Sequence, residues 1–354
     1  MKGKGMMAAA MAACIFFFIP SFEGPHHDDA KLQVLPLSNA SGPESFAFDS
    51  AGQGPYTGVS DGRIFKWSPE HHQWIQFAVS SGYMDEECAG SQDKEKENIC
   101  GRPLGLEFNN KTGDLFVADA YKGLLKATQD ERILKPVVTS AEGGAFGFTN
   151  SLDIDQNSGV IYFSDSSINF QRRQFMKAII TGDRTGRVMK YDPEDEKVEV
   201  LINGLAFANG VALSRDGSFL LIVETTECRI LKYKLKEKSV QVLVKLPGFP
   251  DNIKRSPRGG YWVAMHSRRK KVVQWALSVS WIRRMIPYLP FDLHKLSELM
   301  ERWRGGALAM RIGDDGEVLE VLDNRFKFIS EVHERNGTLW IGSVLVPFAS
   351  LYKL

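Results

Sequence analysis

The chain carries almost no net charge, few cysteines and no apolar stretch long enough to cross a bilayer. Its 354 residues hold 44 Lys and Arg against 43 Asp and Glu, a formal charge of +1. No global field therefore points to a nucleic-acid partner. The apolar run from Met6 to Ile19 ends at Pro20, short of the roughly 20 residues that a spanning helix needs. It follows Lys2 and Lys4, the layout of a secretory signal. Residues 1–24 are thus expected to be a signal peptide, or a signal anchor if cleavage near Ser21–Gly24 does not occur.

The cysteines are equally sparing. Cys14 lies in the signal, and Cys228 stands alone in an alternating stretch, where it reads as a small buried hydrophobe. Cys88 and Cys100 have no nearby His or Cys to complete a metal site. In an oxidising lumen they read as a disulfide closing a polar, acidic loop. Sequons at Asn39, Asn110 and Asn336 are candidate glycosylation sites in the same compartment.

What the sequence does have is repetition. Six segments can be superposed, opening at Glu44, Leu104, Asn150, Asn209, Asp251 and Ser330. Each begins with alternating apolar residues, passes a Gly/Asn/Asp turn and enters a second apolar strand such as LFVAD, IYFSD or LWIGS. Most end in a strand of the form G-R-x-x-K-aromatic. Period-2 alternation punctuated by such turns argues antiparallel meanders. Repeats of this length built from four short strands argue propeller blades. The expected fold is an all-β, six-bladed β-propeller over residues 30–354, with KLQVLPL before Glu44 lending a closing strand to the last blade. Two insertions interrupt it. One spans about 80–102 and holds the cysteine pair. The other, about 272–305, is helical in composition, with basic residues between Trp275, Trp281 and Trp303. It is either a lid-like helical insertion over the pocket, a helix packed on the propeller, or a membrane-surface contact.

The first polar residue of each repeat recurs at one offset. Glu44, Asn150, Asn209 and Asp251 stand eight or nine residues before Gly52, Gly159, Gly217 and Gly259. Equal offsets imply equal places in the blades, and the innermost strands line a central channel. Glu44, Asn150, Asn209, Asp251 and Asn252 are therefore expected to converge as an all-oxygen set. Such a set suits Ca²⁺ better than Zn²⁺; the alternative is a hydrogen-bonded polar plug without metal. Asp119, Asp165 and Glu224 share a second recurring position, which reads as structural.

The motifs GPESFAFD, CGRPLGLEF, NSLDIDQNSGVIYFSDSS, TGRVMKYDP, FANGVALSRDGSFLLIVE, LPGFPDNI and VHERNGTLWIGSV resemble the plant strictosidine synthase-like proteins. They also resemble the adipocyte plasma membrane-associated proteins of animals and, more distantly, paraoxonases and gluconolactonases, which are calcium-dependent propellers. The resemblance implies metal ligation by Glu44, Asn150, Asn209, Asp251 and Asn252. Two departures bear on activity. The acid/base glutamate of strictosidine synthase aligns with Ser330, which cannot shuttle protons as a carboxylate does. Glu331 follows it, and strand alternation would aim Glu331 at the opposite face. The paraoxonase histidine pair falls near Leu104 and Ala120, so His266, after YWVAM, is the hub-side histidine to consider, while His333 reads as structural.

The expected function is a metal-dependent hydrolase of a small-molecule ester or lactone, arylesterase- or lactonase-like. Asp251 is its candidate base and His266 a further catalytic candidate. An amine–aldehyde condensing synthase and a non-catalytic lumenal binding propeller are the alternatives. The expected location is the secretory pathway: endoplasmic reticulum lumen, vacuole or cell exterior.

Overall fold

A computed structural model describes residues 31–354 apart from 81, 129, 270–278, 280–305, 324–325 and 327. The expected signal segment 1–24 lies outside the described residues, as does all but residue 279 of the insertion at 272–305.

The fold is an all-β, propeller-like succession of antiparallel meanders. Four sheets have four strands each. One comprises β11 (Thr149–Ile154), β12 (Ile161–Asp165), β13 (Gly186–Asp192) and β14 (Lys197–Leu205). The next runs through β15 (Ala208–Leu213), β16 (Phe219–Glu224), β17 (Arg229–Lys234) and β18 (Ser239–Lys245). A third runs through β19 (Gly248–Arg255), β20 (Tyr261–Arg268), β21 (Leu308–Ile312) and β22 (Val318–Asp323). The fourth joins both ends of the described chain. There β23 (Ile329–Arg335), β24 (Thr338–Ser343) and β25 (Phe348–Lys353) are completed by β1 (Leu32–Pro36), with Leu32 opposite Tyr352. This is the closing role expected of KLQVLPL.

The remaining strands form one seven-stranded sheet. It contains β2 (Tyr56–Gly58), β3 (Arg63–Ser68) and β4 (Gln73–Ser80), then β5 (Pro103–Phe108), β6 (Leu115–Asp119), β7 (Gly123–Ala127) and β8 (Ile133–Val138). Its two halves pair only through β4 and β8, in parallel, at Val79–Ile133 and Ser80–Leu134. A short hairpin, β9 (Ser140–Ala141) with β10 (Gly144–Ala145), follows.

Burial explains the strand sequences. The second strands LFVAD, IYFSD and FLLIVE are buried at every position. Each lies between neighbouring sheets, so both faces are apolar. Fourth strands such as SVQVLVK are mostly exposed. Core layers alternate with sheets: Leu152 and Phe163 pack with Phe116 and Leu124, and Val211 and Ile222 with Tyr162 and Val188. The layers are tightest between first strands. A Cβ at Gly105 would stand 2.8 Å from the Ser151 Cα, and one at Gly210 2.6 Å from the Ile253 nitrogen. Only glycine permits this backbone approach.

Cys88 and Cys100 are joined as a disulfide, both sulfurs buried. The loop they close carries two helical turns, Asp85–Cys88 and Glu97–Cys100. A second helical excursion, Arg172–Gln174 and Phe175–Thr181, separates β12 from β13; no repeat signal marked it. Asn39, Asn110 and Asn336 all sit exposed in turns. No helix among the described residues is long and apolar enough to cross a membrane.

Candidate functional site

The repeats align residue by residue along their first strands. Glu44, Leu104, Asn150, Asn209, Asp251 and Ser330 open the alignment, and the residues three further on are Ala47, Glu107, Asp153, Ala212, Lys254 and His333. Five of these strands break register at the opening level. The shifts fall between Pro103 and Gly105, Thr149 and Leu152, Ala208 and Val211, Pro250 and Ile253, and Ile329 and Glu331. Bulges re-aim side chains and suspend simple alternation, and the candidate residues sit in them.

Glu44, Asn150, Asn209 and Asn252 are almost wholly buried, each at most 3% exposed. Hydrogen bonds fix how two of the amides point. The Asn150 Nδ2 donates to the Ser166 Oγ at 2.9 Å, and that hydroxyl donates in turn to the Ala208 carbonyl at 2.6 Å. The Asn209 Nδ2 donates to the Asp251 Oδ1 at 2.8 Å and to the Thr225 Oγ1 at 3.1 Å. The Thr225 hydroxyl donates onward to the Pro250 carbonyl at 2.8 Å. A hydroxyl that has spent its proton must accept, and a carboxylate only accepts, so both amides present nitrogen to the blades. Their Oδ1 atoms are left without a partner among the described residues. The Glu44 Oε2 and both polar atoms of Asn252 are in the same condition.

A buried polar atom without a partner costs about 1–3 kcal/mol, and native interiors rarely tolerate several in one place. Four unpartnered buried oxygens at or next to the opening level of the repeats, with Asp251 bonded to Asn209 and acting on Glu44, are donors of the kind a hard divalent cation such as Ca²⁺ takes. No group of three or more His, Cys, Asp or Glu side chains that could hold a metal ion occurs among the described residues; a site here would draw on two carboxylates supplemented by amides.

The electrostatics agree with that donor set. Burial pushes Glu44 up to about 8, the Asp251 charge adds to this, and Arg102 and Arg172 partly offset it. Burial likewise pushes Asp251 up to about 6, against the pull of His266, the Asn209 hydrogen bond and Arg172. Two like charges in one dry pocket resist joint ionisation. A divalent cation removes that resistance.

Ser330 and Glu331 are both committed to the seam with the first repeat. The Ser330 hydroxyl donates to the Glu44 carbonyl at 2.6 Å, and the Phe46 N–H donates to the Glu331 Oε1 at 2.7 Å. The bulge before Glu331 defeats the expectation of an opposite face: its carboxyl is buried and within electrostatic reach of Lys254, Glu107 and Asp251, and is pushed up to about 7, mainly by burial. His266 lies near Asp251 and beside the Phe328 ring, 6.3 Å between centroids. His333 is pushed down to about 3 by burial and the Lys254 charge, and its Nδ1 lies 3.1 Å from the Phe46 carbonyl. Leu104 and Ala120 belong to an apolar cluster with Phe148 and Phe207.

Asp119, Asp165 and Glu224 repeat one task. They accept the backbone N–H of Arg102, Phe148 and Ala206, each just ahead of its own first strand. A belt that sequence reasoning missed lies three residues beyond the hub set. There the Lys254 Nζ reaches the Glu107 Oε2 at 3.2 Å, tying β19 to β5. The signal was available, since both residues hold the same offset from their repeat openings.

Residues 150–238 match the family model described as strictosidine synthase, and residues 30–67 the strictosidine synthase-like N-terminal model. Among solved structures, a gluconolactonase from Xanthomonas campestris superposes with a TM-score of 0.60 at 14% identity, covering 91% of this chain and 89% of its own. Regucalcin from Agrobacterium tumefaciens, described as a calcium-binding protein, gives 0.56 at 12% identity, covering 90% of each chain. At such identities the likeness is one of fold. Strictosidine synthase-like 10 of Arabidopsis thaliana is 49% identical over 96% of this chain and 92% of its own length. Strictosidine synthase-like 2 of the same plant is 44% identical over 99% and 100%. On this sequence identity, sustained over nearly its whole length, the chain belongs to the strictosidine synthase-like family.

Proposed function

We propose that this protein is a six-bladed propeller with a calcium-dependent hydrolase site at its hub, acting on a small-molecule ester or lactone. The observation that carries the reading is the set of four unpartnered, buried side-chain oxygens of Glu44, Asn150, Asn209 and Asn252 beside Asp251. Six blades follow if the seven-stranded sheet is divided at its two-residue parallel seam. The apolar layer of Phe46, Trp67, Leu35 and Ala349, between the first and last repeats, supports a closed ring.

Glu44, Asn150, Asn209, Asp251 and Asn252 would hold the cation. When bound, it would polarise a substrate carbonyl oxygen. Asp251, held in place by the Asn209 N–H, is the candidate to take a proton from the attacking water. His266, whose charge acts on Asp251, is the further catalytic candidate. A condensing synthase is disfavoured, because the Ser330 hydroxyl is engaged by the Glu44 carbonyl and offers no carboxyl. The Cys88–Cys100 disulfide supports an oxidising, secretory-pathway location. We keep residues 272–305 as a lid or membrane-surface contact within this reading.

The test is metal content and hydrolysis of phenyl acetate and δ-valerolactone by purified protein, wild type against Asp251→Asn. One bound calcium, with chelator-sensitive turnover that the variant loses, is expected. Calcium without turnover would leave a binding propeller; absence of calcium would overturn the hub reading.

A further inference from the structure

Two excursions from the strand repeat meet beside the hub. One is the disulfide-closed loop, whose Glu97 is buried. The other carries Phe170, Phe175 and Ile179, which pack against Leu104, Phe148 and Phe207. Leu104 holds in its strand the level that Asn150 and Asn209 hold in theirs, so this second segment covers the hub on that side.

Arg172 joins the two. Its Nη1 bonds the Glu97 Oε1 at 2.5 Å, while the Tyr121 hydroxyl donates to the Glu97 Oε2 at 2.8 Å. The guanidinium is thereby held by one nitrogen, and its other N–H groups bond nothing among the described residues. Its side chain is 12% exposed, so the guanidinium is largely desolvated. Its charge acts on both Glu44 and Asp251. Arg102 lies close by, fully buried, with only its Nη1 bonded, to the Gly42 carbonyl at 3.0 Å.

Both guanidiniums keep N–H groups without a partner among the described residues, close to the hub carboxylates. A partly desolvated arginine fork matches a carboxylate better than any other common anion except phosphate.

We propose that Arg172 is the specificity residue of the hub, binding the carboxylate of an anionic ester or lactone, with Glu97 as its positioning residue. This rests on the hub being a substrate pocket, and it narrows the substrates to those bearing an acid group.

Calorimetric titration of the calcium-loaded protein with 3-phenylpropionate and with 3-phenylpropionamide tests it. These probes share a body and differ in charge. Wild type should bind the carboxylate at least about tenfold more tightly, the scale of one charge-assisted bidentate contact. Arg172→Gln should abolish the preference, and Arg172→Lys should keep part of it. Equal affinities, undetectable carboxylate binding, or a preference that survives Arg172→Gln would overturn the proposal. Calcium stoichiometry measured on the same samples separates the two readings. If calcium binds and the preference is absent, only Arg172 loses its role; if calcium does not bind, the hub reading falls whatever the probes do.

Discussion

Replacing Glu44 with glutamine should make the calcium-free protein more stable at alkaline pH and the calcium-loaded protein less so. The glutamate is buried and pushed from 4.5 up to about 8. A folded-state value above the unfolded one means that the native state holds its proton longer. The stability associated with the neutral carboxyl is therefore complete below pH 4.5 and is lost as pH rises through about 8. Each unit corresponds to about 1.36 kcal/mol, so the loss is of the order of 5 kcal/mol once Glu44 is charged beside Asp251. Glutamine keeps the shape and cannot ionise. In chelator, wild type should lose roughly 5–10 °C of melting temperature between pH 5 and 9 relative to Glu44→Gln. Calcium should narrow and then reverse the gap, because the cation needs the carboxylate; at a ten-thousandfold excess over Kd binding adds about 5.5 kcal/mol. Differential scanning fluorimetry across pH, with and without calcium, reads both effects. Parallel pH profiles in chelator, or equal calcium stabilisation of both proteins, would refute the reasoning.

Lys254→Met should destabilise the protein by about 3–5 kcal/mol in urea titration, because it strands the buried Glu107 carboxylate. The double variant Lys254→Met/Glu107→Leu should recover most of that loss; a double variant as unstable as the single would show that the two groups are not energetically coupled. Leu152→Ala, at a fully buried position between two sheets, should cost about 2–5 kcal/mol in the same assay. Ser330→Glu should produce no condensing synthase activity and should lower stability, since it breaks the bond to the Glu44 carbonyl and crowds a further carboxyl into the hub; robust synthase turnover would reopen that reading. Loss of the Cys88–Cys100 bond through paired serine substitutions should lower the melting temperature and raise protease sensitivity of residues 85–100, with the outer strands unaffected by hydrogen exchange.

The shared level of the repeat openings was legible because it repeats. Glu44, Asn150, Asn209 and Asp251 hold a common offset from their turn glycines, and a common offset in equivalent repeats gives an equivalent place in each first strand. Glu331 was misjudged for a local reason. Alternation is a property of regular strands, and the bulge after Ile329 suspends it. Arg172 and Glu97 carried no pattern at all, since they lie in excursions whose meeting depends on which sheets stand side by side.

Sequence alone determined the strand period, the turns, the disulfide partners and the residue types that open the repeats, since these depend on local alternation, glycine backbone freedom and spacing. Tertiary structure alone decided which way the Asn150 and Asn209 amides point, which oxygens remain unpartnered, and that Lys254 meets Glu107 from a distant sheet. Those outcomes depend on where protons can be donated and charges neutralised, and that is settled only when the strands are brought together.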